Sequence, residues 1–152
     1  VGSEMCIRDR RISVLGVKNE PGIAFRIFNM LAKNQINVDI IIQSVGREDK
    51  KDISFTVART DLAEALDILN ENKETFTASE ITCDETVAKV SIIGAGMVSN
   101  PGVAAKMFEA LANGDVNIKM IATSEIRITV LIDEQDANRA MRLVHDAFDL
   151  AD

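Results

Sequence analysis

The sequence predicts an α+β fold, an α/β sandwich in which two similar units stand in tandem along the chain. Three observations carry this prediction: a strand-like segment that occurs twice, a helical apolar period after each Pro-Gly pair, and alternating apolar runs after each helix. Each unit is therefore expected to form an antiparallel sheet with its helices on one face.

The first strand of each unit is predicted from the repeated segment. Residues 12–17 read ISVLGV, and residues 90–95 read VSIIGA. The only two prolines of the chain follow at equivalent positions, Pro21 and Pro101, and each precedes a glycine. Because both features recur in the same order, they indicate a duplicated unit in which a strand leads through a Pro-Gly loop into a helix.

The helices and the remaining strands are predicted from periodicity. Apolar residues at helical spacing follow each Pro-Gly pair: Ala24, Ile27, Phe28 and Leu31, then Ala104, Met107, Phe108 and Leu111. Strands are predicted at 36–45 and 53–57 in the first unit and at 116–124 and 126–130 in the second. A second helix is marked in each unit by Leu62, Ala65, Leu66 and Leu69, and by Ala137, Ala140, Met141 and Val144.

The fourth strand distinguishes the two units. In the first unit, residues 77–83 supply this strand and complete the ferredoxin-like βαββαβ order. In the second unit no strand follows the second helix, so an N-terminal strand or a second chain would have to cover the open sheet edge. The expected division is a leader or cloning remnant at 1–11 outside the fold, a first domain at 12–84 and a second domain at 85–152.

Composition argues against several classes of function. The formal net charge of -7 disfavours a nucleic-acid-binding surface, and no apolar run is long enough to span a membrane. Two cysteines are too few for a disulfide framework and favour a cytoplasmic setting. His145 is the only histidine and Cys83 is expected to be a small core residue, so we expect no catalytic group, metal site or cofactor.

A glycine pair in the second unit resembles the start of a dinucleotide-binding fingerprint. Gly94 and Gly96 follow a predicted strand, but Ser99 stands where the third glycine of that fingerprint belongs. The first unit has the same strand and loop without a Gly-x-Gly pair. The repeat therefore explains the motif better than a nucleotide site does.

The two strand-to-helix loops, residues 18–23 and 97–103, are the candidate binding sites. The first N–H groups of a helix lack partners within the helix and carry the positive end of its dipole. They suit a small carboxylate, such as the α-carboxylate of an amino acid. An ordinary capped helix start is the alternative, and the presence of the loop in both units favours a ligand site.

Residues 94–97, GAGM, and residues 123–130, TSEIRITV, together with the paired loops, closely resemble the tandem ACT regulatory region of aspartate kinases. The resemblance extends over residues 12–150. It implies a region that senses amino-acid end products for an enzyme that phosphorylates the β-carboxylate of aspartate with ATP. Since the kinase domain of that family is not in this sequence, the resemblance implies a regulatory fragment, or a separate regulatory subunit, without catalytic residues.

The resemblance also implies which residues contact the effector. In the first unit they are Asn19, Glu20, Gly22, Ile23, Ala24, Asn37, Val38, Asp39, Gln43 and Ser44. In the second unit they are Ser99, Asn100, Gly102, Val103, Asn117, Ile118, Thr123, Ser124 and Glu125. ACT copies of the family pair side by side across subunits with the effector between them, so a homodimer is implied.

Charge suggests which effector the first site takes. Asp39 and Glu20 would attract the ammonium group of lysine, whereas Lys119, which matches Asp39 in the second unit, would repel it. We therefore expect lysine at the first site, with threonine as a further effector. The effector would favour one arrangement of the paired ACT units and so alter the activity of an attached kinase domain or subunit.

Two other interpretations remain open. An amino-acid-sensing ACT module could act on a different partner, in which case it would not associate with an aspartate kinase catalytic chain. A small ferredoxin-like enzyme would require a catalytic group, which His145 and Cys83 do not provide.

Overall fold

The computed structural model describes residues 2–6, 9–46, 48–94, 102–124 and 126–148. Their helices and strands, in chain order, are β1 Gly2–Cys6, β2 Asp9–Lys18, α1 Ile23–Lys33, β3 Val38–Val45, β4 Lys50–Ala58, α2 Leu62–Glu71, β5 Glu80–Asp84, β6 Val87–Ile93, α3 Gly102–Asn113, β7 Ile118–Thr123, β8 Arg127–Asp133 and α4 Ala137–Ala147. The chain separates into two compact units: the central unit, residues 8–85, and the flanking unit, residues 1–7 joined to 86–152. Within the described ranges, no helix has both the length and the apolar character needed to cross a membrane.

The central unit has the βαββαβ order that the sequence predicts. Its sheet runs β3-β4-β2-β5, and every neighbouring pair is antiparallel. Ile27 and Leu31 of α1 and Leu69 of α2 pack with Phe55 of β4 and Val14 of β2 in one apolar core. The helical and alternating apolar periods of the sequence therefore meet on one face of the sheet.

The flanking unit repeats this arrangement with a strand from elsewhere in the chain. Its sheet runs β1-β6-β8-β7, so β1 takes the place that β5 holds in the central unit. β1 is antiparallel to β6, with Gly2 opposite Ile93 and Cys6 opposite Lys89. β8 extends from Arg127 to Asp133, further than the predicted strand at 126–130.

The N-terminal residues correct one expectation. The expectation that residues 1–11 lie outside the fold is wrong for those described, because residues 2–6 form β1 and β2 begins at Asp9. The second domain is likewise not confined to 85–152, since the flanking unit draws on both ends of the chain. An open edge of β6 would leave N–H and C=O groups unpaired, and pairing with β1 satisfies them. Of the two ways to cover this edge, an N-terminal strand or a second chain, the structure uses the N-terminal strand.

The duplication extends to side-chain hydrogen bonds. The hydroxyls of Ser13 and Ser54 lie 2.8 Å apart between β2 and β4, and those of Ser91 and Thr129 lie 2.7 Å apart between β6 and β8. Each pair joins directly opposite residues of the ladder. Ser54 therefore corresponds to Thr129, which aligns β4 with β8 residue by residue.

Candidate functional site

The loop between β2 and α1 forms the candidate site of the central unit. α1 begins at Ile23, and its cap residue Gly22 has a left-handed conformation with φ of 89°. Glycine tolerates this φ because it has no Cβ. No side chain caps this end of α1, and its first turn contains no acidic residue. The positive end of the helix dipole is thus left without a protein anion on its own turn.

The first turn of α1 also has unpaired amides. The N–H of Arg26 donates to the Gly22 carbonyl at 3.0 Å and is the first amide with the regular helical bond. Among the described residues, the N–H groups of Gly22, Ala24 and Phe25 donate no hydrogen bond to a backbone carbonyl. Neighbouring amides at a helix start suit a carboxylate, because each donates a hydrogen bond to a group that the dipole also attracts.

The segment before this turn is held in place by three amide hydrogen bonds. Gly16 N–H donates to Asp52 Oδ1 at 2.9 Å, and Lys18 N–H donates to Thr77 Oγ1 at 3.1 Å. Asn19 N–H donates at 2.9 Å to a backbone carbonyl in the turn between β3 and β4. Since these amides are already bonded, they position the loop and leave ligand binding to the first turn of α1.

Two predicted contacts of the loop have other roles in the structure. The carboxylate of Glu20 lies 3.3 Å from Lys18 Nζ, so it already has a cationic partner within the exposed loop. The side chain of Ile23 is buried in the core of the central unit, and only its backbone can face a ligand.

Gln43 and Ser44, near the end of β3, lie at the same end of the sheet as the loop. Gln43 pairs with Ile53, and Ser44 pairs with Asp52, whose carboxylate accepts the Gly16 amide. Both side chains are exposed. The structure therefore brings these two predicted residues to the loop end of the sheet.

Asn37, Val38 and Asp39 lie at the opposite end. Val38 pairs with Val57, whereas Lys18 pairs with Lys50 at the other end of β4. The intervening stretch of strand measures about 23 Å at 3.3 Å per residue. Within one chain, Asp39 and Glu20 therefore do not share a site, because the chain crosses the sheet in α1 before β3 begins.

The predicted site of the flanking unit divides in the same way. Gly102 and Val103 begin α3, while Thr123 ends β7 at the same end of the sheet, next to Ser124. Ile118, preceded by Asn117, pairs with Ile132 at the far end. The remaining predicted contacts, Ser99, Asn100 and Glu125, lie outside the described residues, as does the Gly96 of the glycine pair.

Lys119 of β7 has an acidic partner. Its Nζ lies 2.8 Å from Asp133 Oδ1 at the end of β8. The repulsion that the sequence suggests between Lys119 and a lysine effector is therefore reduced by this carboxylate.

The candidate catalytic groups lie on β5 and α4 and not on the loops themselves. Cys83 is exposed on β5, so the expectation of a core cysteine is wrong. His145 is half-buried in the last turn of α4. Within the part of the chain that the structure describes, no three His, Cys, Asp or Glu side chains come together as a metal site would require.

Comparisons with known proteins assign the fold to a family. The ACT domain family matches residues 12–72 and 90–148. The ligand-free regulatory subunit of aspartate kinase from Thermus thermophilus superposes with a TM-score of 0.92, at 40% identity over 97% of each chain. The chain belongs to the family of aspartate kinase ACT regulatory regions. A chain in the crystal structure of aspartokinase alpha and beta subunits is similar to this ACT region over 99% of both chains, at 45% identity and a TM-score of 0.92.

Complete enzymes of the family match the same ACT region. The aspartokinases of Pseudomonas aeruginosa and Helicobacter pylori are 42% and 46% identical to it over 142 residues. The chain spans 34% of the length of each of these curated relatives. The kinase classification of the family therefore comes from another part of those enzymes.

Sequence reasoning missed several residues of the site. Asp52 and Thr77 bond to backbone amides before the loop, and Lys51, the neighbour of Asp52 on β4, is buried although it is charged. A signal for Lys51 was present, because it stands in phase with the alternating core residues Ile53 and Phe55. Nothing local to the sequence marks Thr77, whose hydrogen bond spans 59 positions.

Proposed function

We propose that this ACT region is an amino-acid sensor that exerts feedback control on an aspartate kinase catalytic domain or subunit. The observation that carries the proposal is the uncapped start of α1, with its unpaired amides, in a member of this family. The catalytic partner would phosphorylate L-aspartate with ATP, and this chain would contribute no catalytic residue to that reaction. The α-carboxylate of the effector would bind at the amides of Ala24 and Phe25.

We propose a homodimer in which each site combines residues of both copies. β3 is an edge strand with β4 on one side only, and its Ile41 and Val45 are 51% and 64% exposed. An edge strand of this kind pairs readily with another strand. Antiparallel pairing of two β3 strands about a two-fold axis would bring the start of one strand to the end of the other.

This pairing would solve the separation of the predicted acidic residues. Asp39 at the start of β3 would approach the loop of the opposite copy, although it is remote from the loop of its own copy. The side-chain ammonium of lysine would then bind Asp39 from one copy while its α-carboxylate binds α1 of the other. Glu20 would contribute less, since its carboxylate already pairs with Lys18. Threonine is the further effector that we propose.

Regulation would follow from linkage. An effector that binds between two ACT units stabilises the paired arrangement that fits it, and typical coupling free energies are about 1–3 kcal/mol. Because linkage is reciprocal, association with the catalytic chain would change the affinity for the effector by the same factor.

The test is isothermal titration of the purified chain with lysine and threonine, with the molecular mass measured by light scattering. We expect saturable binding to a dimer, loss of lysine binding in Asp39→Ala, and no change in the control Asp67→Ala, which removes an exposed acid on α2. Lysine binding by Asp39→Ala at the original affinity would refute the lysine assignment. A folded dimer that binds neither amino acid would refute the sensor.

The partner requires a separate experiment. The purified chain should associate with an aspartate kinase catalytic chain and make its activity sensitive to the effector. An amino-acid-binding chain that fails to associate would instead be a module for another partner.

A further inference from the structure

A buried cation lies at the sheet end of the candidate site. Lys51 of β4 is 7% exposed and pairs with Val17, the last core residue of β2. Directly opposite residues of an antiparallel ladder point to the same face. Since Val17 belongs to the core, Lys51 also points to the face that carries the helices.

Lys51 lies beneath the start of α1. Phe28 of α1 contacts Phe55 of β4 edge to face, with ring centroids 5.4 Å apart, so the helix runs over this strand. α1 and β4 run in the same direction, because both return across the sheet opposite to β2. Gly22 lies about 9 Å before Phe28 along the helix, and Lys51 lies about 13 Å before Phe55 along the strand. These offsets put Lys51 near the first turn of α1, on the face of the sheet that the helix covers.

This arrangement places two positive groups together. The start of a helix carries roughly half an elementary charge, and the Lys51 ammonium adds a full one. In the described part of the chain, Lys51 forms no ion pair or side-chain hydrogen bond, and α1 has no acid in its first turn. Two positive groups held close together repel each other, and an anion between them would relieve this repulsion.

The flanking unit has an apolar residue at the position that corresponds to Lys51. The alignment of Ser54 with Thr129 makes Ile126 the counterpart of Lys51, and Ile126 is 54% exposed. The cation is thus a property of the central unit and not of the duplicated fold.

We propose that Lys51 is a carboxylate-binding residue of the central unit, and that it holds an amino-acid α-carboxylate against the amides of Gly22, Ala24 and Phe25. This inference rests on the proposed sensor function and adds the group that neutralises the carboxylate. The ammonium and the amides satisfy both carboxylate oxygens, and the carboxylate relieves the repulsion between them.

The experiment compares Lys51→Met with Lys50→Met. Lys50 is the exposed neighbour on β4, so its replacement removes the same charge and leaves the buried position unchanged. By titration calorimetry, Lys51→Met should weaken binding of the effector about tenfold or more, whereas Lys50→Met should leave it nearly unchanged. Lys51→Arg should restore most of the affinity. Equal affinities of Lys51→Met and Lys50→Met would overturn the inference.

A second measurement separates this inference from the sensor proposal. Acetate, the simplest carboxylate, is titrated into 15N-labelled protein, and the amide signals of Ala24 and Phe25 are followed. We expect saturable shifts in the original chain and in Lys50→Met, and none in Lys51→Met. If acetate shifts these amides but no amino acid binds, the anion site is supported and the sensor proposal fails. If acetate shifts the amide signals in neither the original chain nor Lys50→Met, the anion site is refuted, whether or not amino acids bind.

Stability distinguishes binding from a structural role. Lys51→Met keeps the aliphatic stem and removes a positive charge near the start of α1, so the urea midpoint without ligand should stay constant or rise. A lower midpoint would show that Lys51 stabilises the fold and would overturn the inference. Lys51→Gln provides the same binding comparison if the methionine variant does not fold.

Discussion

Gly16 provides a stringent test of the loop geometry. It lies in an irregularity of the ladder between β2 and β4, its φ is 67°, and its N–H bonds to Asp52 at 2.9 Å. A Cβ at this position would overlap Ser79 Oγ and lie 2.9 Å from Ser79 Cβ. The left-handed conformation costs about 1–2 kcal/mol for a residue with a Cβ, and overpacking adds about 1–3 kcal/mol. We therefore expect Gly16→Ala to lower the free energy of unfolding by about 2–5 kcal/mol.

Gly22 is the matched control for this substitution. It is also left-handed, with φ of 89°, but a Cβ there would meet no atom within 4 Å. Gly22→Ala should therefore cost only the conformational part, about 1–2 kcal/mol. In a Ser79→Gly background, where the overlapping atoms are removed, Gly16→Ala should cost no more than Gly22→Ala.

Urea unfolding monitored by far-UV circular dichroism measures these differences. With a slope of about 1–3 kcal/mol per molar urea, the predicted excess cost of Gly16→Ala corresponds to a clearly resolved difference in midpoint. Equal midpoints for Gly16→Ala and Gly22→Ala would refute the argument that Ser79 closes the space beside Gly16. Failure of Ser79→Gly to recover stability would refute it independently.

Three further predictions concern polar contacts. Ser91→Ala should lower the free energy of unfolding by about 1–3 kcal/mol, because it leaves the buried Thr129 hydroxyl unpaired. In a double-mutant cycle measured by urea unfolding, Ser91→Ala combined with Thr129→Val should cost much less than the sum of the two single changes. Thr56→Val should lower the free energy of unfolding by about 1–3 kcal/mol, because the hydroxyl of the fully buried Thr56 accepts a hydrogen bond from the Ile40 N–H of β3 at 3.1 Å. An unchanged urea midpoint would contradict this. A cycle on Lys119 and Asp133 should give a coupling of about 0.5–1 kcal/mol at low salt, and this coupling should fall in 1 M salt, where the Debye length is about 3 Å. A coupling that does not respond to salt would show that the pair is not an exposed electrostatic contact.

Much of the fold could be predicted because it depends on local pattern. The helical period after each Pro-Gly pair and the alternation in β4 and β8 reflect which side chains face the core, and this is encoded within each segment. Because the two units repeat the same order of elements, each element predicted in one unit supports its counterpart in the other. The loop was also recognisable, since a Pro-Gly pair precedes the first helix of each unit.

Strand pairing could not be predicted in this way. Residues 2–6 show no period that marks them as a strand, and they form β1 because β6 presents an unpaired edge. The partner of that edge lies more than 80 positions away along the chain, as in the pair of Gly2 with Ile93. Only the assembled sheet shows which of the two predicted solutions is used.

The sequence by itself determined that the chain has two similar α+β units, where their helices begin, and that its loops belong to an ACT regulatory region. Only the tertiary structure decided that Asp39 and Glu20 lie at opposite ends of one sheet, and that Lys51 is buried on the face that carries the helices. The reason is that period and turn chemistry are local, whereas the position of a charge relative to a helix end depends on strand register and on the direction in which α1 crosses the sheet.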